Sequence, residues 1–173
     1  MNTQTFTFPA GRYVLGDACH WIKNIEVWTN MVNDMCDTEV GMVNVPKVEP
    51  KMEDEKYDGI DDFDEFEKVF DKDYEEWEAN PAQGQMFYYN THADGVYEVT
   101  TEDGEVIRDL ISDTANISLI PVELCDTSHP DRNDLGMIIN SDDSFEVEIV
   151  TTTDDEGYDS TRMVINNQIG IDF

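Results

Sequence analysis

The sequence predicts an α+β fold: an antiparallel, strongly twisted sheet or small β-barrel packed by two helices, one of them acidic and amphipathic. Three observations carry this. Apolar residues alternate with period two near the start of the chain and again through most of residues 83–173. Between those regions a period near 3.6 appears twice, over 21–35 and over 60–77. Turn signals such as Pro9-Ala10-Gly11 and Asp103-Gly104 separate the alternating runs. At 173 residues the chain has the length of a single domain, 1–173, with residues 46–82 read as an acidic loop-plus-helix insertion.

Taken in order, Phe6 and Phe8, then Pro9-Ala10-Gly11, then Tyr13, Val14 and Leu15 predict a strand, a tight connection and a second strand. Trp21, Ile25, Trp28, Val32 and Met35 fall on one helical face, with Asp17 as the expected N-cap. Residues 44–56, with two prolines and mixed charge, read as a loop. Ile60, Phe63, Phe66, Phe70, Tyr74 and Trp77 then form a helical seam, which Asn80-Pro81 ends. The other faces carry Asp61, Asp62, Asp64, Glu65, Glu67, Asp71, Asp73, Glu75, Glu76 and Glu78. Like charges at i, i+4 repel, so the aromatic seam is expected to dock this helix onto the body. Beyond Gln83, eight runs read as strands: "MFYYN", "GVYEVT", "GEVIRDL", "NISLIPVEL", "GMIIN", "SFEVEIVTT", "TRMVIN" and "QIGIDF". Asp103-Gly104 predicts a two-residue hairpin, and Asp154-Asp155-Glu156-Gly157 another turn.

The formal net charge of −30, from 40 acids and 10 bases, narrows the function. Residues 1–45 carry −3, 46–82 carry −10 and 83–173 carry −17, so the acidity is no detachable tail. Such a chain repels nucleic acid and anionic lipid, and attracts basic surfaces. No basic flank with an apolar run opens it and no stretch approaches ~18 consecutive apolar residues, which predicts a soluble, cytoplasmic protein. Three cysteines without a C-x-x-C fit reduced thiols.

Three short motifs, "YVLGDACHWI" (13–22), "ADGVYEV" (93–99) and "ISLIPVEL" (117–124), occur in that order. Together they resemble an uncharacterised group of phage and bacterial hypothetical proteins whose pattern is roughly G-D-x-C-Y, G-D-G-x-Y and I-G-I-I-P-V. Ala93 and Ser118 stand where that pattern has glycine, His20 where it has tyrosine, and 46–82 is additional. The resemblance implies a β-rich fold and a phage origin, and it carries over no activity or catalytic residue.

The chemistry of the residues excludes several classes. Cys19 and His20, with His92 or His129 and Asp17, Asp94 or Asp131, supply every residue type of a Cys-His-Asp hydrolase, although neighbours in sequence do not by themselves form a dyad. A small enzyme using Cys19 and a histidine is therefore the alternative reading. Zinc-ligand spacing is missing. An EF-hand registered on Gly59 fails because Lys56 occupies a ligand position and Ile60 falls one place early. Phosphate loops are absent and bases are few, so neither cofactor, metal nor direct nucleic-acid contact is expected.

Solubility needs a net charge of only about 2–8 in magnitude for a small domain. Adaptation to high salt would explain an even spread of acids, through screening of their repulsion, yet the acids concentrate on one helix. Ten acids over residues 60–78, about 28 Å of helix, give one per ~2.8 Å, between ~1.7 Å for a duplex axis and ~3.4 Å for one strand. Further acids at Glu98, Glu102, Asp103, Glu105, Asp142, Asp143, Glu146, Glu148, Asp154, Asp155 and Glu156 are expected on strand faces and turns. The expected function is an acidic nucleic-acid mimic that occupies the basic groove of a host nucleic-acid-binding protein or defence complex, of anti-restriction or anti-CRISPR type. The predicted contact residues are Asp61, Asp62, Asp64, Glu65, Asp71, Asp73, Glu75 and Glu76, with Phe63, Phe66, Phe70 and Trp77 as anchors. An acidic chaperone-like module for basic proteins is a further alternative.

Overall fold

Residues 1–22, 24–127 and 135–173 are described by the computed structural model, apart from the side chains of 33, 34 and 36. The chain opens with β1 (Asn2–Phe8) and β2 (Gly11–Gly16), followed by α1 (Ile25–Cys36) and β3 (Val40–Pro46). The acidic helix α2 (Phe63–Ala79) leads into β4 (Ala82–Asn90), β5 (Gly95–Thr101), β6 (Val106–Ser112) and β7 (Asn116–Pro121). Last come β8 (Gly136–Ser141), β9 (Phe145–Thr153), β10 (Asp159–Ile165) and β11 (Ile169–Asp172). Each of the eight runs beyond Gln83 is thus a strand, and the fold is α+β.

The strands form two antiparallel sheets, in the orders β1-β9-β10-β11-β5-β6 and β3-β4-β7-β2-β8. Both sheets keep free edges, so no barrel closes. Period-two burial explains the layering, because each strand offers alternate side chains to opposite faces. Phe8, Leu110, Phe145, Val147, Met163 and Ile171 from the six-stranded sheet meet Tyr13, Leu15, Phe87, Ile117 and Leu119 from the five-stranded one. The other face of the five-stranded sheet buries Val14, Val43, Val45, Met86, Tyr88 and Ile120 against Val27, Met31 and Met35 of α1. The outer face of the six-stranded sheet carries Glu98, Glu146 and Glu148.

Four expectations are revised. The Pro9-Ala10 corner sends the chain from one sheet to the other, since β1 pairs with β9 while β2 pairs with β7 and β8. Residues 40–46 are strand where 44–56 reads as loop; Val43 and Val45 alternate with exposed Met42 and Asn44, and Pro46 is tolerated at the end of an edge strand. The first helix starts later than the seam implies. Asn24 caps it, accepting from Glu26 N at 2.7 Å, whereas Asp17 caps a short 3-10 turn over Ala18–His20. This restart moves the buried face to Val27, Met31 and Met35 and leaves Ile25 78% exposed. The Asp103-Gly104 turn is longer than two residues, with Thr101 N donating to Glu105 O, and Gly104 supplies φ of +82°.

Residues 47–81 form an excursion from a β-hairpin. β3 pairs with β4 from Val40↔Tyr89 to Pro46↔Ala82, and Lys47 N donates to Pro81 O at 2.6 Å. The acidic segment therefore leaves and rejoins the sandwich at adjacent, paired positions. No helix among the described residues is long and apolar enough to cross a membrane.

Candidate functional site

The acidic arm is built around its own small aromatic cluster. Asp62 caps α2, its Oδ1 accepting from Glu65 N at 2.9 Å, and Asp64 and Glu65 in the first turn oppose the positive end of the helix dipole. At the other end Asn80 N bonds back to the carbonyls of Glu76 and Trp77. Along the seam Phe66 stacks on Phe70 (6.0 Å between ring centres), Phe70 on Tyr74 (6.2 Å), and Tyr74 tilts onto Trp77 (5.4 Å). The ring that covers this ladder is Tyr57, which meets Phe66 at 5.6 Å and Phe70 at 5.7 Å and is itself buried. Trp77 Nε1 reaches Lys47 O at 3.4 Å, and Lys51 ties the arm to α1 through Glu26 at 2.8 Å.

This differs from the expected docking onto the body. No residue of α2 is buried, and Phe63 is 72% exposed. The seam rests on the loop before the helix, because that loop supplies the one large ring at the right place.

The predicted contact acids separate into groups. Asp61 precedes the helix and is exposed, while Asp62 is engaged as the cap. Asp73 faces inward: its Oδ2 accepts from Tyr57 OH at 3.0 Å and pairs with Lys56 Nζ at 2.8 Å. Lys56 first, then the Tyr57 hydroxyl, hold the Asp73 carboxyl below its usual range. Glu76 pairs with Lys72 at 3.6 Å. Asp64, Asp71 and Glu75 remain without an ion pair among the described residues, and Glu67 and Glu78, not in the predicted set, join them. The spacings of 3, 4, 4 and 3 from Asp64 to Glu78 place these five on one face of the helix, over about 21 Å. Glu65 and Lys72 project from another side, while Lys68, four residues after Asp64 and three before Asp71, stands at the edge of the stripe. The acids of the strands lie apart from the arm, on the outer face of the six-stranded sheet and in its turns. There Glu98 stands directly opposite Asp109, an unfavourable like-charge pair.

The Asp17 centre is the other cluster with possible chemistry. Asp17 is fully buried and accepts six hydrogen bonds. Oδ1 receives Cys19 N (3.0 Å), Thr114 Oγ1 (2.6 Å) and Asn116 Nδ2 (2.9 Å). Oδ2 receives Ser112 Oγ (3.2 Å) and the amides of Asp113 and Thr114 (both 2.8 Å). Burial alone would raise its pKa, but the bonds from Thr114 and Cys19 outweigh it and hold the carboxyl below the usual range. Ala115, at a φ of +50°, completes the wrap and is held by Asp94 Oδ1 at 2.9 Å.

Asp17, Cys19 and His20 bring one ligand atom each within 4.8 Å of one another. Both oxygens of Asp17 are already fully used, which leaves a metal no good site there. Burial, followed by the charge of Asp17, pushes the Cys19 thiol up to about 12. At neutral pH it is a thiol, and the thiolate is what attacks. His20 Nε2 lies 3.0 Å from Asp113 Oδ2, though not aligned for a hydrogen bond. His92 sits at an exposed turn, 3.7 Å from Glu39, and Asp94 is spent on Ala115. His129 and Asp131 lie outside the described residues. No family model, curated protein or solved structure matches the chain.

Proposed function

We propose that the 47–81 arm is a protein-docking surface, and that α2 presents its carboxylates to the basic groove of a nucleic-acid-binding protein in place of a phosphate backbone. One observation carries this reading: Asp64, Glu67, Asp71, Glu75 and Glu78 form a one-sided stripe, free of ion pairs among the described residues, on a helix none of whose residues is fully buried. Structural carboxylates in the same chain look different, as Asp17 with its six donors shows. Capping by Asp62 and the Tyr57 cluster fix the helix before any partner arrives, so little ordering remains to be done on binding. Steered, salt-sensitive association is the expected consequence. The resemblance of the three motifs to a phage group would place the partner among host nucleases and defence complexes.

The test is a tagged capture from host lysate at low salt and at about 0.5 M salt, where the Debye length shrinks below about 5 Å. A nucleic-acid-binding protein held only at low salt, released by added DNA, and lost when Asp64, Glu67, Asp71 and Glu75 are all changed to Lys supports the reading. Single reversals should change little, because exposed charges act together. A partner that DNA does not displace would favour the chaperone-like alternative. Capture indifferent to salt and to the fourfold reversal would refute both.

A further inference from the structure

The acidic stripe is thinner than the total of acids implies. Five carboxylates over about 21 Å give one per ~5 Å on the face that a single groove can meet, sparser than either strand of a duplex. Charge alone is a weak basis for recognition at that density, and the rings beside it become relevant. The ladder has an inner side, where Tyr57 covers Phe66 and Phe70, and an open side, where Phe63 is 72% and Tyr74 36% exposed. At 100° per residue, Phe63 and Tyr74 fall next to Glu67, Asp71 and Glu78.

The inner side shows what a ring beside a carboxylate holds in this protein. Lys56 Nζ lies 4.8 Å from the centre of the Tyr57 ring and 2.8 Å from Asp73 Oδ2, so one ammonium is seated by a π-face and a carboxylate together. The open side offers a similar combination: Phe63 stands clear of the ladder, Tyr74 is part-exposed between Phe70 and Trp77, and three carboxylates lie beside them. Of the helix's own lysines, Lys72 is paired with Glu76 and Lys68 lies beyond Asp71, on the far edge of the stripe. A second copy of the chain, at −30, is the wrong occupant on charge.

We propose that the open side of α2, where Phe63 and Tyr74 stand beside Glu67, Asp71 and Glu78, seats lysine and arginine side chains of a basic protein segment, each cation held between a ring and a carboxylate as Lys56 is. This rests on α2 being the docking face, as proposed above, and adds that binding is part cation–π. Arginine is favoured over lysine because its planar guanidinium stacks on a ring while it bonds a carboxylate.

The experiment measures fluorescence anisotropy of a labelled oligo-arginine peptide against the full chain at about 0.15 M salt. It compares the natural protein, a Phe63→Leu/Tyr74→Leu variant and a Glu67→Gln/Asp71→Asn/Glu78→Gln variant. The leucine variant keeps the charge and much of the apolar area, and loses the π-faces together with the Tyr74 hydroxyl. Its affinity should fall about five- to thirtyfold, from two exposed cation–π contacts. An oligo-lysine peptide of equal length should bind more weakly to the natural protein and respond less to the leucine changes. If the leucine variant binds as the natural protein does while the Glu67→Gln/Asp71→Asn/Glu78→Gln variant loses binding, the inference fails and the docking reading survives. If neither change matters, both fail. Circular dichroism checks that α2 is retained, and Tyr74→Leu alone takes the place of the double change if the helix is lost.

Discussion

The sandwich and the arm use carboxylates in opposite ways. Asp17 sits between the β2 end and the 112–116 segment with no exposure and six donors, so it is a fastening of the fold. In the arm, Asp64, Glu67, Asp71, Glu75 and Glu78 have neither burial nor an ion partner among the described residues, and the helix that bears them needs its own capping and ring ladder to persist. The same side chain thus stabilises one region and burdens the other. An acid whose bonding is complete within the fold has nothing left for a partner; an exposed acid is hydrated, and its cost is repulsion from its like-charged neighbours, which a cationic partner would relieve.

The largest test removes the fastening. Asp17→Ala leaves the amides of Asp113 and Thr114 and the Asn116 side chain facing a void. Buried donors left unpaired cost about 1–3 kcal/mol each, so a loss of about 4 kcal/mol or more in urea-unfolding free energy is expected. The acid limb of stability carries the same signature. Because the native Asp17 carboxyl lies below its unfolded value of ~3.9, its contribution is fully present above that pH. It is lost as pH falls through the lower, native value. Asp17→Asn should flatten that limb, as measured by unfolding at a series of acid pH values.

A second test strikes the sandwich at a glycine. A methyl group at Gly136 would lie 2.7 Å from the buried Trp21 ring, so Gly136→Ala should cost about 1–3 kcal/mol by overpacking and shift the tryptophan emission. The arm should respond differently to far greater change. Replacing 48–80 by a short turn between Lys47 and Pro81 keeps the β3–β4 pairing intact, and α2 contributes no buried residue. The unfolding free energy should move by about 1 kcal/mol or less, since closure entropy depends weakly on loop length. Hydrogen exchange of the intact chain should show α2 amides opening well before those of β2 and β7.

The sequence disclosed the two regions unequally. The strands beyond Gln83 were legible because their alternation is clean: Phe145, Val147 and Ile149 are buried while Glu146 is exposed. The α2 boundaries were legible from Asn80-Pro81 and from the ring spacing. Residues 40–46 were not, because Pro46 and Pro50 mask the alternation of Val43 and Val45. The first helix was misplaced by one face because Asn24 and Asp17 both have cap chemistry, and only tertiary packing decides which cap serves the long helix. The fate of individual acids was least legible. Asp73 turns inward only because the preceding loop returns Tyr57 and Lys56 to it, and helical spacing could have added Glu67 and Glu78 to the exposed stripe. The Asp17 network joins residues about a hundred positions apart, which no local pattern encodes.

The smallest expected effect concerns Cys19, and it decides whether the sandwich has a chemical role of its own. With its thiol pushed up to about 12, about one molecule in ten thousand carries the thiolate at pH 8. Iodoacetamide labelling, read peptide by peptide, should therefore be at least about a hundredfold slower at Cys19 in the native protein than in urea, where the ordinary pKa of ~8.5 returns. Cys19→Ala should change stability by about 0.5 kcal/mol and leave capture by the arm intact, since the residue is only partly buried and no part of α2 touches the Asp17 bonds. Rapid native labelling would mean that neither burial nor the charge of Asp17 holds the thiol protonated, and the hydrolase alternative would regain its nucleophile. Slow labelling with intact capture leaves the sandwich as the support and the arm as the part that meets a partner.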